Sequence, residues 1–193
     1  MNFLAHAYLA RGSERAILGA LMGDFVKGPL EGRYDAELTR ALTLHRRIDS
    51  YTDAHDVVRC SRRRVSPGRR RFAGILVDMF YDHFLARLWE EYCDIPLEQF
   101  TAHVYAVLRA HRALLPERLQ QLAAHMSDGD WLSSYRSALA VAAAIDRMGG
   151  RLRRGNAMLG SGDELLAQYQ PFESDFRLFF PDVVRFACRP HDA

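Results

Sequence analysis

The stretch from Phe72 to Trp89 constrains this chain most. Phe72, Ile75, Leu76, Val77, Met79, Phe80, Tyr81, Phe84, Leu85, Leu88 and Trp89 place apolar side chains on almost every side of a helix. Such a helix is stable only at the centre of a fold, covered by other elements. Yet it carries Asp78, Asp82 and His83. Asp78 and Asp82 are one turn apart on one face. Burying a lone charge is costly, so each of these groups needs a partner or a metal.

Around this helix the apolar spacing is helical nearly throughout, with no alternating β run. Ser13 predicts a helix start before Ile17, Leu18, Leu21 and Met22. Lys27–Gly32 predicts a break, and a second helix is expected over Asp35–Asp53. Ser66-Pro67-Gly68 punctuates the chain, and one long helix is expected from Arg69 to Tyr92. Helices are also expected after Pro96 and Pro116, and over Trp131–Met148, ended by Gly149-Gly150. Phe172, Phe176, Phe179, Phe180, Val183 and Val184 predict a C-terminal helix, with Pro181 as a kink or a start. With 193 residues, 49% of them hydrophobic, the expected fold is all-α, a single compact multi-helix domain over 1–193.

Several classes drop out. No apolar run reaches the roughly 18 residues a membrane span needs. The opening Met1-Asn2-Phe3-Leu4-Ala5-His6 lacks a basic stretch, so no signal peptide is expected. Cys60, Cys93 and Cys188 are odd in number and widely spaced. That pattern suits reduced thiols in a cytoplasmic protein better than disulfides or a cysteine zinc site. There is no GxxxxGK[ST] loop, no GxGxxG after a strand and no GxSxG elbow.

Two further places break the apolar pattern. Asp24 falls three residues after Leu21 and seven after Ile17, on their face. His45 occupies the apolar stripe of the second helix, with Asp49 and then Asp53 at successive turns. Mixed histidine and carboxylate ligands suit Mn²⁺, Mg²⁺ or another divalent cation. Such an ion polarises a phosphoryl oxygen and lowers the pKa of a bound water. The expectation is a metal-dependent hydrolase of a phosphate ester. His55, His103, His111, His125 and His191 lie off these stripes and are expected at the surface.

Lys27 is the sole lysine, so positive charge is nearly all arginine. Arg59, Arg62, Arg63, Arg64, Arg69, Arg70 and Arg71 fall together with no acid among them. They form either a solvated loop or a docking patch for an anionic partner.

The segments Asn2-Phe3-Leu4-Ala5-His6, Gly23-Asp24-Phe25-Val26, Leu44-His45-Arg46-Arg47-Ile48-Asp49 with Thr52-Asp53, and Asp78-Met79-Phe80-Tyr81-Asp82-His83-Phe84, in this order, resemble the acyl-carrier-protein phosphodiesterase family. The resemblance is sharp over about residues 1 to 92. It implies an all-helical fold distantly akin to HD-type metal phosphohydrolases. It implies hydrolysis of the phosphodiester joining 4′-phosphopantetheine to a serine of holo-acyl carrier protein, with a divalent cation, manganese favoured. HD-type enzymes carry a His-Asp pair; here the adjacent pair reads Asp82-His83, in reversed order. Carried over, Asp24, His45, Asp82 and His83 are expected metal ligands, and Asp49 and Asp78 are either ligands or groups that orient the histidines. His6 is either the general acid for the leaving serine oxygen or a holder of the phosphate. Arg46 and Arg47 are expected to neutralise phosphate charge. The arginine run is expected to steer the acidic carrier protein.

Two other functions compete. One is an HD-like phosphohydrolase acting on a nucleotide or another small phosphate ester, which would make no use of the arginine run. The other is a nucleic-acid-binding helical module. It leaves Asp24, Asp82 and His83 without a role, and a net charge of +2 is low for it. Neither nucleic acid nor membrane insertion is expected.

Overall fold

Helix starts follow local capping signals. In the computed structural model, which describes residues 1–151 and 156–189, α1 (Phe3–Leu9) opens the chain. Ser13 then caps α2 (Glu14–Met22), its hydroxyl accepting the Ala16 N–H at 3.1 Å. Asp35 caps α3 (Ala36–Ala54) from Leu38 at 2.8 Å. The His55 ring accepts from Val57 at the start of α4 (Asp56–Arg64). A 3₁₀ stretch, Pro67–Phe72, leads into α5 (Ala73–Arg87). Pro96 and Pro116 precede α6 (Leu97–Ala110) and α7 (Glu117–Asp128). Then come α8 (Trp131–Ser134), α9 (Ala138–Arg151), α10 (Gly162–Ala167) and α11 (Tyr169–Ala187), which contains Pro181. There is no strand among the described residues.

Three boundaries differ from expectation. The single helix expected from Arg69 to Tyr92 is divided. Arg69–Phe72 winds more tightly after Pro67, Phe72 (φ −103°, ψ 0°) interrupts the α winding, and Leu88 ends α5 before a second 3₁₀ turn at Trp89–Glu91. Trp131–Met148 is likewise two helices, α8 and α9. Gly149 and Gly150 do not end α9, which runs on to Arg151. At Gly149 a Cβ would lie 3.3 Å from Met158 and Leu159, so this glycine permits a close approach.

The described residues share one contiguous core. In α5, Leu76, Val77, Phe80, Phe84, Leu85 and Ala86 are fully buried, as the all-round apolar pattern requires. Phe172, Phe176, Phe179 and Phe180 of α11 pack against it; the Phe80 and Phe172 rings meet at 5.1 Å. Burying each such side chain contributes about 1.5–3 kcal/mol.

The seam between α2 and α3 is too narrow for a side chain at two points. A Cβ on Gly19 would sit 2.4 Å from the Cβ of Ala41. One turn further along both helices, a Cβ on Gly23 would sit 2.1 Å from the ring of His45. Two glycines at i,i+4 thus bring the helices close enough to bury the His45 ring in the seam.

No helix among the described residues is long and apolar enough to cross a membrane.

Candidate active site

Three side chains converge where α1, the end of α2 and the middle of α3 meet. His6 and His45 are buried, and their rings stack with centroids 4.1 Å apart. Asp49 bridges them: Oδ1 lies 3.0 Å from His6 Nε2, and Oδ2 lies 3.1 Å from His45 Nε2. Asp24 Oδ1 stands 3.7 Å from the same His45 nitrogen. The ligand atoms of His6, His45 and Asp49 all lie within 4.8 Å of one another. Among the described residues no other such group of three occurs.

The backbone fixes the orientation of His45. Its Nδ1 is 2.8 Å from the Ala20 carbonyl oxygen. A carbonyl only accepts, so Nδ1 carries the proton and donates. Nε2 is thereby turned toward Asp49 and Asp24. A histidine held by a carbonyl behind it and facing carboxylates in front is the arrangement commonly found around bound metals. His6 Nδ1 is buried without a hydrogen-bond partner.

The electrostatics reflect the crowding. Burial opposes a charge on His45, but Asp24 and Asp49 outweigh it and push its pKa up to about 9. Burial draws His6 down to about 4, against the pull of Asp49, and the neighbouring His45 adds to the fall. Burial raises the Asp49 carboxyl, but His45 and His6 together hold it well below the usual carboxylate range. His45 holds Asp24 down as well. The cluster contains one histidine kept neutral by burial, one whose charged form the carboxylates favour, and two carboxylates.

Asp78 stands beside this cluster. Its Oδ1 lies 3.2 Å from the Met1 amino group, which is 3.8 Å from Asp49 Oδ1. Burial raises the Asp78 carboxyl against the pull of that amine.

Asp82 and His83 are placed elsewhere. Asp82 is fully buried and accepts the Leu4 and Ala5 N–H groups at 2.8 and 3.1 Å. It caps the N-terminus of α1, and through that helix it sets the position of His6. Burial pushes its pKa up to about 7, although those two N–H groups favour the carboxylate. His83, next in sequence, points about 100° around α5 from Asp82. Its Nδ1 donates to the Tyr135 carbonyl at 2.8 Å, so its Nε2 accepts from the Tyr169 hydroxyl at 2.7 Å. Both of its ring nitrogens are satisfied without a metal.

Asp24 does not lie on a buried stripe, because α2 stops at Met22. Its side chain is 55% exposed and faces solvent from the turn. Arg46 donates to the Val26 and Gly28 carbonyls at 3.0 and 2.8 Å, so its guanidinium holds a loop. Arg47 is exposed on another side of α3. The arginine run is not a loop, since Arg59 to Arg64 lie on α4. Arg64 pairs with Asp175 at 2.8 Å, Arg69 with Glu164 at 3.2 Å, and Arg62 with Asp53 at 2.5 Å. Arg70 donates to the Val65 and Arg63 carbonyls. Arg59, Arg63, Arg70 and Arg71 are exposed. Of the five histidines expected at the surface, His103 and His125 are exposed, and His111 is half-buried beside Glu14. His55 is half-buried against Phe179 and Asp182. His191 lies outside the described residues.

The model of the family described as acyl carrier protein phosphodiesterase matches residues 1–183. The chain belongs to the acyl carrier protein phosphodiesterase family. Curated relatives carry the same description. One from Yersinia enterocolitica is 36% identical over 185 residues, 95% of this chain and 96% of its own. One from Photorhabdus laumondii is 35% identical over 197 residues, 98% of this chain and 100% of its own. One from Escherichia coli is 33% identical over 190 residues, 98% of each. No solved structure matches.

In this member of the acyl carrier protein phosphodiesterase family, sequence reasoning missed a group next to the site. Asp24, Phe25 and Lys27 face Pro116, Glu117 and Arg118 across a cleft of about 430 Å³. Nothing local signals it, since its walls are about ninety residues apart in sequence. A second cavity, between α6 and α7, contains none of the cluster residues.

Proposed function

We propose that this protein is a metal-dependent phosphodiesterase. It hydrolyses the phosphodiester joining 4′-phosphopantetheine to the serine of holo-acyl carrier protein, giving apo-carrier protein and 4′-phosphopantetheine. The observation that carries this reading is the His6–His45–Asp49 cluster, with Asp24 on its solvent side. Family membership supplies the substrate.

The donor set fits a divalent cation of the Mn²⁺ or Mg²⁺ class. His45 Nε2 and Asp49 would hold it, with His6 and Asp24 completing the set. When bound, such an ion polarises the phosphoryl oxygen and lowers the pKa of a water. The chain's own residues do the rest. Asp49 keeps both imidazoles oriented and compensates the charge at His45. Asp82 holds α1, and with it His6, against the core helix. Asp24, the exposed member, meets the substrate first. The bond from phosphorus to the serine oxygen breaks, a water oxygen takes its place, and the serine oxygen leaves with a proton.

The exposed arginines Arg59, Arg63, Arg70 and Arg71 supply a positive face for an acidic carrier protein, acting chiefly on the rate of encounter. In this reading the enzyme works in the cytoplasm, consistent with three unpaired cysteines.

The test is incubation with holo-acyl carrier protein and Mn²⁺, with and without chelator, followed by mass analysis. Loss of the phosphopantetheine mass only with metal is expected; no loss with any divalent ion would overturn the reading. Metal binding has its own readout. Mn²⁺ should raise the thermal midpoint of the native chain and leave that of Asp49→Asn almost unmoved.

A further inference from the structure

The cleft beside Asp24 is more elaborately held than a chance groove. Its loop wall is fixed by two arginines: Arg46 on the Val26 and Gly28 carbonyls, and Arg33 on the Lys27 and Pro29 carbonyls at 2.9 and 3.0 Å. Gly28 turns the loop at φ +79°, in the left-handed region that favours glycine. Phe25 is anchored by stacking on Phe3 of α1, with centroids 6.3 Å apart. Lys27 and Arg118 are exposed, and among the described residues neither forms an ion pair.

The cluster has two ends. Along α3, His45, Asp49 and Asp53 follow at one-turn intervals, spanning about 12 Å. Asp24 and the cleft lie at the His45 end. At the other end Arg62 holds Asp53, and Arg59 and Arg63 share its short helix. The proposed substrate also has two unlike ends: a folded acidic protein on one side of the phosphorus and a thin, flexible arm on the other.

We propose that the cleft seats the pantetheine arm, with Lys27 and Arg118 as its specificity-determining residues, while the α4 face seats the carrier protein. The diester then lies along α3 with its serine oxygen toward Asp53. This rests on holo-carrier protein being the substrate. A single helix with its side chains is about 10–12 Å across, so a folded protein does not enter a cleft of this size, whereas a thread does. The arm presents amide carbonyls and a branched apolar carbon. Lys27 and Arg118 are pure donors and match the carbonyls. Phe25 and Pro116 match the apolar carbon.

The experiment is calorimetric binding in the presence of Mn²⁺, with three probes: 4′-phosphopantetheine, inorganic phosphate and apo-acyl carrier protein. The Lys27→Ala/Arg118→Ala double variant should bind phosphopantetheine about tenfold more weakly. Its affinities for phosphate and apo-carrier protein should stay unchanged. The Arg59→Glu/Arg63→Glu variant should show the opposite pattern, weakened for apo-carrier protein alone. Equal weakening for phosphate would mean that Lys27 and Arg118 hold the phosphoryl group. Weakening for apo-carrier protein would mean that the cleft docks protein. Either result, or no change at all, overturns the proposal. If the native chain releases no phosphopantetheine from holo-carrier protein, the proposed function fails, and the pattern of affinities still decides what the cleft holds.

Discussion

Gly23→Ala should inactivate this protein by moving one imidazole. Gly23 has φ −54° and ψ −41°, helical values that alanine adopts without strain. By propensity alone the change would be favourable, since alanine exceeds glycine by about 1 kcal/mol in a helix. The added Cβ, however, would lie 2.1 Å from the Cγ and Cδ2 of His45 and 2.5 Å from its Nδ1. Ordinary carbon contacts are about 3.5–4.0 Å, so the ring must retreat by well over an ångström or the helices must part. The ring cannot retreat without losing the Ala20 carbonyl at 2.8 Å and its alignment with Asp49 at 3.1 Å. Overpacking costs about 1–3 kcal/mol, which exceeds the propensity gain. A misplacement of about 1 Å at a reacting centre costs about 10²-fold in rate. The assay is phosphopantetheine release from holo-carrier protein, read beside the thermal midpoint and the circular dichroism spectrum. Retained helical content, a lowered midpoint and a kcat lower by about a hundredfold or more are expected. Native activity with an equal or higher midpoint would refute the close seam between α2 and α3.

Other substitutions separate structural charges from those serving the substrate. Arg64→Ala leaves the Asp175 carboxylate buried with Ser61 as its remaining donor, and should cost about 3 kcal/mol in a denaturant titration. Arg59→Glu/Arg63→Glu should leave stability near native and lower kcat/KM at low salt, with the difference fading as salt is added. Burial lowers the pKa of His83 below 6.5, against its bond to the Tyr135 carbonyl. The fold therefore favours the neutral ring, whose contribution is complete above pH 6.5 and is lost as pH falls toward the folded pKa. Thermal midpoints should drop below about pH 6.5, and less steeply in His83→Asn; an identical slope would remove His83 from the account. Asp82→Asn offers one acceptor oxygen where two were used, and should cost about 1–3 kcal/mol. It should also lower kcat through His6, and a fall in stability with unchanged kcat would show that α1 is positioned by other contacts.

The helical architecture was legible because periodicity is a local property. The all-round apolar stretch of α5 could sit only at the centre, and Ser13 and Asp35 marked helix starts by their own chemistry. The site was legible as a set of violations, without the means by which each is resolved. His45, Asp82 and His83 break the apolar pattern in the same way. The structure resolves them by three different means: facing carboxylates, the N–H groups of a helix start, and a carbonyl with a tyrosine hydroxyl. Which partner satisfies a buried polar group depends on segments far away along the chain, so spacing alone does not distinguish them. Asp24 was misplaced because Phe25 and Val26 continue the apolar spacing past Gly23, although α2 ends at Met22. Asp175 could have been found by the same rule, since it falls between Phe172 and Phe179 on a core stripe. That rule would have marked Asp175 as needing a partner, and the structure supplies Arg64, which is thereby held in an ion pair. Lys27 and Arg118 carry no local signal at all.

The two hydrogen bonds at Asp82 make activity conditional on a piece of chain too short to persist alone. Seven residues fall below the length at which an isolated helix survives in water. His6 is therefore in place only while the first segment is docked on the core carboxylate. Detachment of that segment is a smaller event than unfolding, and it can occur while α5 and α11 remain packed. The amides of Leu4 and Ala5 then serve as reporters. Their exchange with solvent measures how often the enzyme, though folded, is without its histidine.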